Sequence, residues 1–450
     1  MNKLKENIKI NKKIARKIYS NQKGITLIAL VVTIVVLLIL AGVTINAVFS
    51  DSGIIARAKD AQNKANESVQ KDMEQINALE KWLESKTNGT TEKPVITDSS
   101  LTSKDRTTTE SKTVIAQDIK GNQVVVPGGF RIADDSGTSV EQGIVIEDKE
   151  RNQFVWIPVS NINADGSNKI KKDNGDEVEI TLGRYTFATS SPGTPTLKQK
   201  GSEYAETTIA KATAGTLDTK YRAGNYNYEL SDYRVSNEKN DLTGTNTTAK
   251  NLQAFIEKTN TNKGFYIARY EASYGSGYNS SGTTTEEKYG NAKPLSKVST
   301  AKDKSTMNHV EGTLWNFITQ PQAAIVSQNM YKNDSYVESD LVNSYAWDTA
   351  IVYIQAMGNS NYANATRGTN TNLMNTGETG DQKCKIFDMA GNTLEWTTES
   401  STLTSSSNAY PCTCRGGYYY YSNYYTRYRS NGPATSSDSD ISFRPLLYVK

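Results

Sequence analysis

The sequence predicts an α+β protein standing behind a long amino-terminal helix, and three observations carry that prediction. An uncharged apolar run, Ile25 to Val48, follows a basic leader directly. The later part of the chain holds short β-branched and aromatic stretches punctuated by Gly, Pro and Asn, which is the pattern of strands and turns. One stretch, Ser344 to Met357, carries apolar residues at helical spacing instead, with Trp347, Ile351, Tyr353 and Ile354 toward its buried side. At 450 residues there is room for about two to four domains of ordinary size.

Residues 1–24 form a leader rich in Lys and Arg, with Glu6 its only acid. As a helix, Ile25–Val48 would extend about 36 Å, enough to cross a hydrocarbon core of about 30 Å. The cations favour a cytoplasmic amino terminus, so the bulk of the chain is expected outside the cell. A secretory signal carries a shorter apolar run and a small-residue cleavage site after it. Here Lys23-Gly24 stands before the run. Past the membrane segment, Ile54, Ala58, Ala61, Ala65, Val69, Met73, Ile76, Leu79 and Leu83 recur at threes and fours, continuing an amphipathic helix through residues 25–85.

This arrangement resembles the class III signal and first helix of type IV pilins and pseudopilins. The resemblance implies cleavage between Gly24 and Ile25, and packing of the apolar helix against subunits of a pilus-like filament. The family's usual glutamate at the fifth mature position is replaced by Ala29. A plain single-pass membrane anchor is the competing reading, and both place the protein at the bacterial cell membrane or surface.

Residues 86–118 read as a flexible polar tether without periodicity. A globular region over 119–450 follows. Strands are expected at Val124–Val126, Ile144–Glu147 and Phe154–Val159, and strand-like alternation returns over Lys263–Tyr274. Residues 160–260, rich in Thr and Asn, are expected to form an insertion of long surface loops.

Composition narrows the chemistry. The net charge of +3 comes from the leader, so no basic stripe supports a nucleic-acid partner. The only histidine, His309, leaves little scope for histidine catalysis or a multi-histidine metal site. Cys412 and Cys414 are too close in sequence for an ordinary disulfide, and Cys384 is an odd third.

Four segments occur in order: "FVWIPV", "GFYIARYEAS", "WDTAIVYIQ" and "IFDMAGNTLEWTTE", the last followed by "RGG" and "SFRPLLYV". With "DMAGNTLEW", Asp388 to Trp396, as their most specific piece, they resemble the formylglycine-generating enzyme (sulfatase-modifying factor) family, a variant of the C-type lectin fold. The resemblance implies a Ca²⁺ site made by Asp388, the carbonyls of Gly391 and Thr393, and Glu395, a set of hard oxygen donors on a tight turn. In the alternative, Asp388 caps the turn while Glu395 pairs with Arg415 or Arg444. The family's paired catalytic cysteines would fall at Tyr421 and about Thr426, neither of which is cysteine. Copper is therefore not expected, and the domain reads as non-catalytic.

Where those cysteines would stand, "CRGGYYYYSNYYTRYRSNG" packs seven tyrosines between Tyr418 and Tyr428. One core could not satisfy so many hydroxyls, so part of the stretch is expected to be exposed as a binding surface. Tyr with Ser and Asn is also the residue mixture of paratopes. From Ser400 to Val449 there is no Lys, Glu, Gln, Trp or Met. That alphabet is reachable from an AAC codon by changing its adenines, and it resembles the variable region of diversity-generating retroelement target proteins. Candidate variable and ligand-contacting positions are Tyr418, Tyr420, Tyr421, Asn423, Tyr424, Tyr425, Arg427, Tyr428 and Ser430. The expected function is surface-displayed adhesion or recognition of an extracellular protein or glycan. The alternatives are a formylglycine-generating-type oxidase and a structural minor pilin.

Overall fold

The computed structural model describes residues 32–36, 93–96, 112–204, 232–233, 252–300, 309–367, 371–400, 412–432 and 436–450. The chain divides into two units, Met1–Glu92 and Lys93–Lys450. In the first, residues 32–36 are helical, and Val32, Ile34, Val35 and Val36 are exposed. No helix among the described residues is long and apolar enough to cross a membrane. Gly24, Ile25, most of the apolar run and the amphipathic continuation lie outside the described residues.

In the second unit two sheets position the site. Their strands are β1 (Arg131–Ile132), β2 (Val145–Glu147), β3 (Gln153–Pro158), β4 (Asp232–Tyr233), β5 (Gly264–Ala268), β6 (Val337–Leu341), β7 (Leu394–Ser400), β8 (Cys412–Arg415), β9 (Arg429–Gly432), β10 (Ile441–Phe443) and β11 (Pro445–Val449). The larger sheet runs β6-β11-β5-β3-β2-β1 and is antiparallel throughout. Its centre is the apolar pair β3 and β5, in register Trp156 to Tyr266 and Ile157 to Phe265. The Trp156 and Tyr266 rings meet edge to face at 4.9 Å. The smaller sheet runs β4-β7-β8-β9, with β10 parallel to β7.

Helices α1 (Leu252–Asn262), α2 (Thr285–Tyr289), α3 (Gln320–Asn329) and α4 (Ser344–Ala356) complete the frame. Asn343 caps α4 by accepting from the Ala346 amide, and Thr319 forms a capping box with Gln322 at α3. The expected buried side of α4 becomes burial all round, because the helix packs against β3, β7 and the Gly183–Phe187 strand. Its position between the two sheets makes it the support on which the carboxyl-terminal strands rest.

Two expectations from the sequence change. The tether expected over 86–118 belongs to the fold at its far end. Val114–Gln117 pairs antiparallel with Gln123–Val126, Val95 bridges to Gln117, and Ile96 and Ala116 are buried. The region expected to be loops over 160–260 contains two hairpins, Ile170–Lys171 with Glu177–Val178 and Gly183–Phe187 with Pro195–Lys200, and then α1. Ile180, Leu182, Tyr185 and Phe187 join the core. The strand signal over Gly183–Phe187 is hidden by Arg184, a charged residue that is buried because it joins the ionic cluster described below.

Candidate functional site

The tyrosine segment is the loop of a hairpin. β8 ends at Arg415, β9 begins at Arg429, and these two arginines are direct cross-strand partners. Two glycines make the loop's exit possible. Gly416 has φ +86°, and a Cβ there would meet the Met389 carbonyl at 2.9 Å. A Cβ at Gly417 would collide with the Ala390 carbonyl and approach the Tyr424 carbonyl to 2.7 Å.

Both stems are fastened by a buried ring of charges. Arg415 donates from Nη2 to Asp348 Oδ1 at 2.6 Å and from Nη1 to Glu399 Oε2 at 2.9 Å. Arg429 donates from Nη2 to Asp348 Oδ2 at 2.6 Å and from Nε to Glu399 Oε1 at 2.8 Å. The Arg184 guanidinium stands 3.9 Å from Glu399, and Asp348 Oδ2 also accepts from the Tyr185 amide at 2.9 Å. A guanidinium fork matches a carboxylate in two directions at once, so the ring sets the spacing of the stems as well as their charge balance. Two further bonds pin the loop from below: Trp347 Nε1 donates to the Thr426 carbonyl at 3.0 Å, and Arg415 Nε to the Tyr428 carbonyl at 3.0 Å. The Thr426 and Arg427 amides bond to the Ala365 and Ala363 carbonyls.

On this base the tyrosines divide. Tyr418 and Tyr428 are buried, Tyr419, Tyr424 and Tyr425 are half-buried, and Tyr420, Tyr421, Ser422 and Asn423 are exposed, with each of the two rings 47% accessible. Tyr418 lies edge-on to Tyr424 at 4.9 Å, and Tyr424 lies 4.2 Å from Tyr428, so a short aromatic column runs down into the domain. At its top Tyr421 is edge-on to Tyr420 at 4.8 Å and nearly parallel to Tyr424 at 6.1 Å. Of the nine nominated contact positions, Tyr420, Tyr421 and Asn423 are exposed, while Tyr424, Tyr425 and Ser430 are partly covered. Tyr418, Arg427 and Tyr428 are buried and serve the support of the loop. Arg427 lies over the Tyr425 ring at 4.4 Å and bonds to the Ala363 carbonyl and the Asn364 side chain. Its burial was not legible, because an arginine in a polar loop reads as exposed.

The four residues of the expected Ca²⁺ site are buried, and their side-chain oxygens are already engaged. Asp388 accepts from Thr376 Oγ1 and the Gly377 amide through Oδ2, and from Thr379 Oγ1 through Oδ1. Glu395 makes a two-pronged pair with Arg444 at 2.6 and 2.9 Å, and Trp396 beside it fills the core. At the same turn the Gly391 amide bonds to the Asp388 carbonyl, and the Thr393 amide to Glu271. No cluster of three His, Cys, Asp or Glu suited to a metal occurs among the described residues. A Ca²⁺ ion at this turn would have to displace the hydroxyl and amide donors on Asp388 and the guanidinium on Glu395.

Glu271, which sequence reading missed, is the partner that this turn does use. It is fully buried and accepts from Asn392 Nδ2 at 2.6 Å, from the Thr393 amide at 2.9 Å and from Thr393 Oγ1 at 2.6 Å. Burial, reinforced by the nearby charges of Asp388 and Glu395, pushes its carboxyl up to about 8. The unfolded group titrates near 4.5. Its contribution to stability is therefore fully present below about 4.5 and is lost as pH rises through about 8. We expect the melting temperature to fall between pH 5 and pH 8.5, and Glu271→Gln to flatten that slope. Parallel slopes for the two proteins would refute the assignment.

None of the three cysteines is in a disulfide. Cys412 and Cys414 are buried on β8, where burial pushes the Cys414 thiol far up, and burial pushes Cys384 up to about 12. His309 stacks on Tyr278 at 3.6 Å and lies edge-on to Tyr274 at 5.3 Å.

These features define an α+β domain that presents an aromatic loop on an ion-paired stem. Against known families, residues 19–45 match the prokaryotic N-terminal methylation motif. The motif indicates pilin-like processing and a surface or pilus location. Among solved structures the chain is similar to one described as CarF, with 14% identity over 42% of this chain and 87% of that one at a TM-score of 0.30. It is also similar to Treponema denticola variable protein 1, with 12% identity over 41% and 95% of the two chains at a TM-score of 0.22. A third similarity is to the major tropism determinant U1 variant, with 15% identity over 77% and 97% at a TM-score of 0.25. Comparison with curated protein sequences finds no match.

Proposed function

We propose that the protein is a surface-displayed, non-catalytic recognition protein, in which a pilin-like stem carries a C-type-lectin-like domain that binds an extracellular ligand through its tyrosine loop. One observation supports this above the others: Tyr420, Tyr421 and Asn423 are exposed at the tip of a loop whose two ends are fastened by buried ion pairs. A binding face works best when its aromatic anchors are held in place before the ligand arrives, because less freedom is then lost on association. The positions offered for the paired cysteines of the enzyme family, Tyr421 and Thr426, belong to this loop, and Cys412 and Cys414 are buried in the strand before it. The same division of labour suits diversification by a retroelement, since exposed tip residues can change without touching the stem.

The test is a variant with Tyr420, Tyr421, Tyr424 and Tyr425 replaced by Ala, screened beside the parent on arrayed glycans and cell-surface proteins. The parent should bind and the folded variant should not. Equal binding by both would move the ligand site away from the loop, and incorporation into filaments with no ligand found would favour an inert minor pilin.

At the amino end we expect the mature protein to begin at Ile25. Terminal sequencing of protein from a host with a prepilin peptidase checks this, and an intact leader there would return the segment to a plain anchor.

A further inference from the structure

The hairpin Gly183–Phe187 with Pro195–Lys200 is fastened to the same ring of charges as the tyrosine loop. The Tyr185 amide donates to Asp348 Oδ2 at 2.9 Å, Arg429 Nη2 donates to the Tyr185 carbonyl at 3.3 Å, and Arg184 Nε donates to Ser344 Oγ at 3.0 Å. A second rung joins the two hairpins farther from the ring. Arg427, two residues from Arg429 on the loop side, donates to the Asn364 side-chain oxygen, and Asn364 Nδ2 donates to the Ala188 carbonyl at 3.1 Å. Ala188 stands three residues past Tyr185 on the way to its own turn. Both hairpins therefore leave the ring in the same direction, and the turn 188–194 rises beside the tyrosine loop.

This turn is seated as closely as the loop. Gln355 on α4 donates from Nε2 to the Gly193 carbonyl at 2.8 Å and accepts from the Ala363 amide at 2.8 Å. The Gly193 amide bonds to the Ser360 carbonyl at 3.1 Å, and the Ala188 amide closes the turn on the Thr194 carbonyl at 2.9 Å. A Cβ at Gly193 would meet Asn364 Nδ2 at 3.0 Å and Ala363 Cβ at 3.1 Å, so the turn lies directly on the segment that carries Asn364. Arg427 is the joint between the two: its guanidinium is buried, lies over the Tyr425 ring and bonds to Asn364. Residues 189–192 are exposed, as are residues 420–423 at the tip of the tyrosine loop. None of the segments 186–197, 358–366 and 416–426 contains Asp, Glu, Lys, Arg or His. Arg367, which follows the second of them, lies in the field of Asp388, Glu271 and Asp381.

We propose that the turn 188–194 is a second wall of the binding face, that Arg427 and Asn364 set its position against the tyrosine loop, and that the face takes a neutral oligosaccharide. The inference rests on the binding role proposed above for the loop. An acidic or ammonium group on the ligand would shed water here without meeting an opposite charge, a cost that uncharged walls cannot offset. A neutral sugar chain asks for the groups that are exposed. Its hydroxyls find those of Thr189, Ser190 and Ser191 and the amide of Asn423, while its polarised C–H groups pack on the electron-rich faces of Tyr420 and Tyr421. Four exposed residues at each turn are few beside the roughly 20–30 a side of a stable protein interface, which disfavours a protein partner. The wall also lies outside the positions nominated for variation, so it supplies a constant contact while the tyrosine tip is free to change.

The experiment uses the full chain in detergent micelles, with laminarin, galactomannan and dextran as neutral probes, hyaluronan as an acidic one and chitosan as a basic one. We expect at least one neutral probe to bind, with an affinity that changes less than about twofold between low and high salt, because no ion pair is there to be screened. Replacing Thr189, Ser190 and Ser191 together with Ala should weaken that probe roughly tenfold at an unchanged melting temperature. Asn364→Asp keeps an acceptor for Arg427 but turns a carboxylate oxygen toward the Ala188 carbonyl. It should cost a similar factor, and combining it with the triple variant should add little, since both act through one wall. Failure of every neutral probe, binding of the charged probes alone, full affinity in the triple variant, or additive losses with Asn364→Asp would overturn this inference. Retained binding in the four-tyrosine variant would instead overturn the binding role of the loop, so the two failures are distinguishable.

Discussion

Asp348→Asn is expected to destabilise the domain by about 3–5 kcal/mol, the usual cost of removing one partner from a buried ion pair. The residue accepts from two guanidiniums at 2.6 Å and from the Tyr185 amide at 2.9 Å, with no exposure of its side chain. Asparagine keeps one acceptor and turns an N–H donor toward an arginine. Two cations then remain buried with Glu399 alone to offset them, and Arg184 stands close by. Against a typical total of about 5–15 kcal/mol for a domain, such a loss is large. Urea denaturation of the full chain measures it. Hydrogen exchange adds a more specific readout, because the ring holds the loop stems: the Thr426, Arg427 and Tyr428 amides, bonded to Ala365, Ala363 and Tyr425, should lose protection before those of β3 and β5. A loss below about 1 kcal/mol, the range of an ordinary surface change, would show that the ring does not fasten the loop.

The tyrosines should separate into two groups with opposite phenotypes. Tyr420→Ala with Tyr421→Ala is expected to change stability by no more than about 0.5 kcal/mol, as exposed positions do. It should nonetheless remove the hot spot, costing about 2–4 kcal/mol of binding. Tyr418→Ala is expected to behave the other way. The ring is buried and touches Tyr419, Tyr421 and Tyr424, so its removal leaves a cavity worth about 3–5 kcal/mol of stability. Thermal melts alongside binding on the arrayed probes separate the two outcomes. If Tyr420 and Tyr421 proved destabilising when truncated, the tip would be part of the core and the proposed binding face would be lost.

Much of the frame was legible before any coordinates. The apolar stretches around Trp156 and Tyr266 became the central strands because β-branched and aromatic runs satisfy a strand buried on both faces. Ser344–Ala356 became a helix because its apolar residues recur at helical spacing behind a capping Asn343. Pairing of Glu395 with Arg444 was one of the two partners considered for it. Other features were hidden for an identifiable reason. Arg184, Asp348, Glu399, Arg427 and Arg429 read as solvent-facing charges in a linear sequence, yet all are buried. Local pattern cannot reveal this, since a charge is buried only when partners distant along the chain arrive to meet it. Glu271, which takes its bonds from Asn392 and Thr393, escaped notice in the same way.

By itself the sequence determined which segments are apolar enough to pair or pack, where a leader with the N-terminal methylation motif precedes an uncharged run, and that tyrosines crowd one stretch between two arginines. Only the tertiary structure decided which of those tyrosines face water. Burial of Tyr418 and Tyr428 and exposure of Tyr420 and Tyr421 follow from the spacing of the hairpin stems. That spacing is set by Asp348 on α4 and Glu399 on β7, far from the loop in sequence and in direct contact with its stems. The physical reason is that composition fixes how much aromatic surface a loop carries, while long-range ion pairs and packing fix the side on which it is left exposed.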